Sequence, residues 1–499
     1  MRTRLISTGS EWNFDLIEEY ERAIAGIAAD FRLDTYPNQI EIVSAEQMMD
    51  AYSSVGMPVG YSHWSYGKEF VSVEQRYRRG EMGLAYEIVI NSNPCIAYLM
   101  EENTLPMQAL VIAHASFGHN SFFKGNYLFR TWTSADSIID YLLFARDYVR
   151  DCEQRHGEEA VEAVLDSCHA LRHYGVDRCK RPAHLSPLQE RDRQRQREAQ
   201  HQAAVNELWR TLPQRGAAPD PRPTGVFPAE PQENLLYFIE KNALLLAPWQ
   251  RELVRIVRKL AQYFHPQRQT QVMNEGWATF WHYTLLNRLY DDGRVDDAFM
   301  LEFLTSHTNV VAQPGFDHPR YGGINPYALG FAMMRDIRRI CEQPTAEDRA
   351  WFPDLAGSDW IASLDFAMRN YKDESFIAQY LSPRLMREMR LFSIVDDDRL
   401  AEYEVAAIHE DSGYRRLRAA LAAQYDLATR EPAIEVWRVD RLGDRSLTLR
   451  HQQRGRRPLA AASTDALQHV ARLWGFPVRM ETVRPDGGVE SVLEAHPLQ

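Results

Sequence analysis

YEIVINSNPCIAYLMEENTLPMQALVIAHASFGHN (residues 86–120) is the stretch of sequence that carries most of the information about the fold. Residues 86–91 alternate and are rich in β-branched side chains, which predicts a β-strand. Pro94 ends the strand, because proline has no N–H to give to a sheet. Residues 105–119 then follow the spacing of a helix. A strand therefore leads directly into a helix that carries two histidines.

The sequence on either side of this stretch is patterned mainly for helices. Apolar residues at helical spacing cover residues 12–31, 45–54 and 134–175, and, with breaks, residues 233–393. Residues 181–232 are instead rich in charge and proline. Such a segment buries too little apolar surface to offset the entropy lost on ordering, so a flexible insertion is predicted.

The pattern changes again beyond residue 397. The predicted elements are a helix near 412–425, strands at 433–439 and 445–451, a helix at 463–474, and strands at 477–483 and 488–493. This order predicts a small α+β unit at the C-terminal end. The predicted fold class is α+β and mainly helical. The predicted domains are 1–180 and 233–397 (two halves of a main helical domain), 181–232 (the insertion) and 398–499 (the α+β domain).

The composition narrows the classes of function. The 499-residue chain has a formal net charge of −12, and a general nucleic-acid binder needs a basic face. No run approaches the ~20 apolar residues that cross a bilayer, and the first residues do not resemble a secretory signal. The five cysteines form an odd, scattered set that is typical of reduced thiols, so a cytoplasmic location is expected. Phosphate-loop and G-x-S-x-G motifs are absent, which argues against nucleotide-driven chemistry and serine hydrolysis.

His114 and His119 are the first candidates for chemistry, because neutral imidazole is a common metal ligand. The spacing of five residues puts the two side chains ~140° apart on an α-helix. They converge only if the helix ends or bulges between them, and Gly118 lies where such a break is tolerated. Two interpretations stay open: a pair of metal ligands, or two histidines buried for structural reasons.

Glu275 and His282 lie in a second candidate segment, NEGWATFWH (274–282). Seven residues apart, they share one helix face but lie ~10 Å apart along its axis, too far to bind one ion together. We interpret Glu275 as a metal ligand or a base, and His282 as a group behind the ligands or a substrate contact. Alternatively, Glu275 has only a structural role, because a negative charge in the first turn stabilises a helix. Tyr327 is a candidate oxyanion donor, or an anchor for its own helix.

The sequence resembles the SpoVR family, the stage V sporulation protein R-like proteins of bacteria. The resemblance covers nearly the whole chain. It is carried by HASFGHNSFFKGNYLFR (114–130), HYGVDRCKRP (173–182), YFHPQRQTQVMNEGWATFWH (263–282), SHTNVVAQPGF (306–316), INPYALGF (324–331), DESFIAQYLSP (373–383) and LWGFPV (473–478).

The resemblance implies a role in stress and stationary phase, and in sporulation in some bacteria. It also implies two partners, a PrkA-type serine protein kinase and a von Willebrand-like companion protein. It gives the candidate site a location but not a reaction.

Two hypotheses of function follow. By analogy of fold, a strand followed by a two-histidine helix and a distant glutamate helix is zincin-like, and predicts a zinc-dependent amide or peptide hydrolase. In this hypothesis His114, His119 and Glu275 bind zinc or another divalent metal, and His282 or Tyr327 steadies the oxyanion. The substrate is a peptide or a cell-wall precursor. The alternative is a non-catalytic adaptor that acts with the kinase.

Overall fold

The computed structural model of the chain describes residues 5–53, 60–64, 87–179, 227–392, 410–453 and 463–497, with positions 192, 195, 394–395, 404–405 and 459. The chain divides into two compact units. Unit 1 comprises residues 1–161 and 263–431, and unit 2 comprises residues 162–262 and 432–499. Helices dominate and the sheets are small, so the predicted α+β, mainly helical class is confirmed.

The elements before residue 180 are as follows. The helices are α1 (Phe14–Asp30), α2 (Ala45–Ser53), α3 (Leu105–Val111), a π-helix (Ile112–His119), α4 (Asn120–Gly125), α5 (Tyr127–Trp132), α6 (Ile138–His156), α7 (Glu158–Ala170) and a 3₁₀-helix (Arg172–Tyr174). The strands are β1 (Asn38–Val43), β2 (Glu87–Ile90) and β3 (Cys95–Met100).

The elements after residue 227 follow in the same order. The helices are α8 (Leu235–Asn242), α9 (Pro248–Gln269), α10 (Gln271–Asp291), α11 (Asp297–Val310), α12 (Pro326–Glu342), α13 (Ala346–Trp351), α14 (Trp360–Asn370), α15 (Asp373–Tyr380), α16 (Pro383–Glu388), α17 (Asp411–Tyr425), α18 (Leu427–Arg430) and α19 (Ser463–Trp474). The strands are β4 (Ile394–Val395), β5 (Glu404–Val405), β6 (Ala433–Val439), β7 (Leu447–Gln452), β8 (Val478–Val483) and β9 (Val489–Ala495).

A three-stranded sheet in unit 1 has the order β1-β3-β2, with β1 parallel and β2 antiparallel to β3. The strand predicted at residues 86–91 is β2. Its residues alternate between two faces. Ile88 packs against a small cluster of methionines, whereas Val89 packs against the main core. Glu87 shares a face with Val89, so it lies on the side of the sheet that meets the main core.

The main core of unit 1 forms around α10, whose Trp277 and Trp281 are almost fully buried. The π-helix approaches α10 so closely that a Cβ atom on Gly118 would lie 2.6 Å from the Cα of Ala278. On another side, a Cβ on Gly276 would lie 2.4 Å from the Cα of Gly330 on α12. Glycine is therefore required at these crossings because the backbones leave no room for a side chain. Gly276 and Ala278 are thus the small residues of α10 at which two other helices approach it closely.

Unit 2 contains a four-stranded sheet of order β6-β7-β8-β9. The outer pairs are antiparallel hairpins and the central pair, β7 and β8, is parallel, with α19 connecting them. The predicted order of strands and helices after residue 411 is confirmed.

The boundary between the units differs from the predicted boundary at residue 398. Helix α17 contributes Tyr414, Leu421 and Ala422 to the core of unit 1, and unit 2 resumes only at Pro432. Residues 162–262 also lie in unit 2, although the sequence pattern assigned them elsewhere. Whether residues 398–499 fold alone stays a prediction.

Local details refine the other predictions. Asn13 caps α1, because its side-chain oxygen accepts a hydrogen bond from the backbone N–H of Leu16. The helix predicted across 134–175 divides into α6 and α7 at Gly157, whose φ is +85°. Most of the predicted insertion at 181–232 lies outside the described residues. Among the described helices, none has both the length and the apolar character of a bilayer crossing.

Candidate metal centre

The π-helix brings His114 and His119 to the same side of the chain. Hydrogen bonds in a π-helix join residues five apart, so side chains at this spacing lie nearly above one another. The two rings have centroids 4.6 Å apart at an interplanar angle of 85°. The bulge that the five-residue spacing requires is therefore confirmed. Both side chains are buried.

Two carboxylates approach the same side of these rings. Glu87, from β2, has its Oε1 atom 3.2 Å from His114 Nε2 and 3.9 Å from His119 Nε2. Glu275, from α10, has its Oε2 atom 4.0 Å from His114 Nε2 and 3.6 Å from His119 Nε2. Four side chains from three elements thus surround one small space. We call these four residues the His/Glu centre.

The carboxylates of the His/Glu centre are poorly satisfied. Among the described residues, Glu87 Oε2 and Glu275 Oε2 are buried atoms without a hydrogen-bond partner. Burial raises the pKa of Glu87 well above its usual value, and the neighbouring Glu275 charge raises it further. Burial lowers the pKa of His114 well below its usual value, and His119, His282 and His307 add to the shift. Burial therefore disfavours the charged forms of both Glu87 and His114.

Two further histidines form a chain of contacts that begins at His114, on the side of its ring away from the carboxylates. Its Nδ1 atom lies 2.8 Å from His282 Nδ1, and His282 Nε2 lies 2.8 Å from His307 Nδ1 on α11. All three rings are buried. One consistent arrangement has each histidine donating to the next, starting at the Nδ1–H of His114. This arrangement leaves the lone pair on His114 Nε2 directed at the carboxylates.

His119 is held in the same way by Asn274, the residue before Glu275. The Asn274 Oδ1 atom lies 3.0 Å from His119 Nδ1. An amide oxygen accepts a hydrogen bond, so it selects the tautomer with a proton on Nδ1. The Nε2 atom of His119 then also carries a lone pair. With these hydrogen bonds, the neutral form of each histidine presents an Nε2 lone pair to the centre.

The structure brings three of the predicted residues together and distributes the others around them. His114, His119 and Glu275 lie in the His/Glu centre. His282 lies behind His114, and both of its ring nitrogens contact other histidines. Tyr327 lies in the first turn of α12, and its backbone N–H donates a hydrogen bond to Asn325 Oδ1. None of the contacts described for the centre involves Tyr327.

Glu87 is the residue that sequence reasoning missed. Glu87, His114 and His119 offer ligand atoms that all lie within 4.8 Å of one another. Glu87 lies 27 residues before His114 in the chain, with no motif to connect them. The available signal was the position of one acidic residue at the start of an otherwise apolar strand.

Two family models match this chain, and the residues that they match include all four residues of the His/Glu centre. The family described as "SpoVR like protein" matches residues 11–430, and the one described as "SpoVR-like C-terminal domain" matches residues 432–485. The "Uncharacterized protein YcgB" of Escherichia coli (strain K12) is 61% identical over 488 residues, which cover 98% of this chain and 96% of that protein. No solved structure matches the chain significantly.

Proposed function

Because this chain belongs to the SpoVR family, and because the residues matched by that family include the whole His/Glu centre, we propose that it is a metal-dependent hydrolase of amide or peptide bonds. The cation is zinc or another divalent metal. His114, His119 and Glu87 are the proposed ligands, and Glu275 is the proposed general base.

The observation that carries the proposal is a pair of half-buried carboxylates beside two oriented imidazoles, each carboxylate with one buried oxygen atom that has no hydrogen-bond partner among the described residues. A buried carboxylate is strongly unfavourable unless a cation or hydrogen bonds satisfy it. Two ligand atoms of a tetrahedral zinc ion lie ~3.4 Å apart. The four nitrogen–oxygen distances in the centre run from 3.2 to 4.0 Å, so the donor set fits a divalent cation.

The roles of the two glutamates follow from their positions. Glu87 has an oxygen 3.2 Å from His114 Nε2, the shortest of the four distances, and forms a compact group with both histidines. Glu275 lies slightly further out and keeps one oxygen near His119. When bound, a divalent cation supplies a Lewis acid and makes water acidic enough to lose a proton near neutral pH. Glu275 takes that proton at a carboxylate oxygen and returns it to the leaving nitrogen.

The contacts of His282 support a positioning role for this residue. Its ring nitrogens are engaged by His114 and His307, so neither is directed at a substrate. It instead holds the tautomer and orientation of His114, as groups behind a ligand do in metal sites. The contribution of Tyr327 to an oxyanion site stays a prediction.

The choice of amide and peptide bonds rests on β2. Within the described part of the chain, β2 pairs with β3 alone, and it carries Glu87 into the centre. An extended peptide can add to the edge of a sheet through backbone hydrogen bonds. A strand edge beside a metal site is the zincin-like feature, and the likeness is an analogy of arrangement.

The hydrolase is tested with a pool of unstructured peptides and soluble cell-wall peptide fragments, analysed by mass spectrometry. We expect cleavage by the zinc-loaded protein, and no cleavage after a chelator is added. Glu275→Gln should keep its metal but cleave at least 100-fold more slowly, because the base is lost. Glu388→Gln, which changes an exposed glutamate on α16, is the matched control. Cleavage that survives both the chelator and Glu275→Gln would contradict the proposal.

The adaptor hypothesis makes the opposite prediction. A chain that acts only by contacting a PrkA-type kinase or the von Willebrand-like protein needs neither metal nor general base. Absence of cleavage together with absence of bound metal would favour it. These partners, and the role in sporulation and stationary phase, stay predictions from the family resemblance.

A further inference from the structure

A cavity of about 280 Å³ lies in unit 1, between α10 and α12. Tyr283 and Thr284 of α10 face it on one side. Arg335, Arg338 and Arg339 of α12 line the other side, with Glu342 and Gln343 at the end of that helix. Residues three, four and seven apart share a helix face, so the three arginines border the same space. We call this cavity the arginine cleft.

Three arginines on one helix face repel each other unless anions compensate them. Arg339 is fully compensated. Its guanidinium donates to Asp336 at 2.7 Å and to both oxygens of Asp348 at 2.6 and 2.8 Å. Arg338 is compensated in part, because its Nε donates to Glu342 at 3.0 Å and its guanidinium lies 4.5 Å from the Trp360 ring centre.

Arg335 differs from both neighbours. Its guanidinium lies 5.5 Å from the ring centre of Phe331, and no carboxylate within the described ranges pairs with it. It is exposed and faces the cleft. Guanidinium groups match phosphate and carboxylate oxygens with two parallel hydrogen bonds. Arg335 therefore presents N–H donors to the cleft, and no carboxylate of the described residues accepts from them.

The cleft also offers a surface for the rest of a ligand. The Tyr283 ring is only partly buried and lies beside Phe331, with centroids 5.5 Å apart. A cavity of this volume lies at the small end of the range for ligand sites, so it suits a small molecule rather than a nucleotide or a peptide. An aromatic wall beside a guanidinium matches a flat body that carries one anionic group.

We propose that the arginine cleft binds a small organic anion, with a phosphate or carboxylate group at Arg335 and a flat body against Tyr283. The proposal does not rest on the metal centre. The ligand is anionic because the guanidinium of Arg335, which has no carboxylate partner among the described residues, presents a positive charge to the cleft. The ligand is small because the volume of the cavity is only about 280 Å³.

Isothermal titration calorimetry on the full chain at low salt tests this site. The probes are phenyl phosphate and benzoate, which separate the two sources of negative charge, and inorganic phosphate, which lacks the ring. We expect one equivalent of phenyl phosphate, benzoate or both to bind, and to bind tighter than inorganic phosphate. Arg335→Gln should weaken this binding about tenfold or more, because a charged hydrogen-bonding partner is lost.

Arg349→Gln is the matched control, since Arg349 is an exposed arginine on α13. It should leave the affinity unchanged, and both variants should unfold at the wild-type temperature. If the anion binds at the metal centre instead, Arg335→Gln will leave its affinity unchanged. An unchanged affinity in this variant would therefore overturn the assignment to the arginine cleft. Equal affinities for phenyl phosphate and inorganic phosphate would overturn the role of Tyr283. No binding of any probe at millimolar concentration would overturn the site as a whole.

Discussion

Two glutamates, one in each unit, have very different surroundings in this chain. Glu240 in unit 2 is 3% exposed, and its oxygens accept hydrogen bonds from Lys241 at 2.7 Å, Arg255 at 3.2 Å and Arg258 at 2.9 Å. Burial alone would raise the pKa of Glu240, but the hydrogen bond from Lys241 and the charge of Arg258 lower it below its usual value. For Glu87 in unit 1, the ionisable groups nearby in the described part of the chain are histidines and another glutamate, and its pKa is raised.

The two glutamates differ in the source of the positive charge that can compensate them. Around Glu240 the chain supplies its own cations, so the cluster is complete without a ligand. Around Glu87 the nearest nitrogens in the described residues belong to the imidazoles of His114 and His119, which contact His282 and Asn274 through their other ring nitrogens. The first cluster is arranged for stability. The second has the composition of a site that a divalent cation completes.

The largest expected effect on stability comes from a substitution of Glu240. Glu240→Gln keeps the size of the side chain but removes the charge that three basic residues contact. We expect the free energy of unfolding to fall by about 3–5 kcal/mol, because a buried ion pair is broken on one side only. Denaturant unfolding should give this loss with or without a chelator. Glu494→Gln, which breaks an exposed pair with Arg479, should cost less than about 1 kcal/mol.

Glu87→Gln should behave in the opposite way, because its effect depends on metal. In the wild-type protein, a cation at 100 times its dissociation constant should raise the unfolding free energy by about 2.7 kcal/mol. The variant should lose this increase, yet be no less stable than wild type in chelator, since an unpaired buried carboxylate is gone. Glu41→Gln on β1 is the control. A Glu87→Gln protein destabilised equally with and without metal would show that Glu87 is a structural residue like Glu240.

A smaller effect is expected at Asn274, which acts through His119. Asn274→Ala removes the acceptor at Nδ1 and should weaken metal binding about 10- to 100-fold. Asn274→Asp retains an acceptor oxygen and should restore most of the affinity. Competition with a coloured chelator measures both. If the two variants bind metal equally well, the acceptor at this position does not orient His119.

The smallest effect is expected at His307, two hydrogen bonds away from the centre. His307→Leu leaves the Nε2 atom of His282 without a partner and should weaken metal binding about fivefold, the value of one net hydrogen bond. His307→Gln offers a new acceptor and should recover part of the loss. A thermal shift recorded in chelator separates this effect from a general loss of stability. A loss of stability without a change in metal affinity would remove His307 from the site.

Local sequence patterns predicted many of the elements and part of the centre. The alternation at 86–91 predicted β2, and the five-residue spacing around Gly118 indicated that the two histidines converge only if the helix ends or bulges between them. The structure has the bulge. Both predictions depend on neighbouring residues, which interact within one element. The same holds for the hairpins of the C-terminal sheet.

What sequence could not provide was the contact between distant elements. Glu87 reaches the centre because β2 is packed against the π-helix, and no local pattern encodes that packing. Glu275 and His282 were correctly placed on one face of a helix, ~10 Å apart. His114 bridges this gap, with Nε2 toward Glu275 and Nδ1 toward His282. That bridge depends on the crossing of two helices, which the glycine at 118 permits but does not specify.

The most direct test of the comparison is the metal content of the protein itself. The full chain should be purified without an affinity tag or added metal, and analysed by elemental mass spectrometry beside His119→Ala and Glu240→Gln. The account predicts about one divalent metal ion per chain in the wild type and in Glu240→Gln, and almost none in His119→Ala. A wild-type protein without metal, which also fails to bind zinc when it is titrated in, would contradict the account.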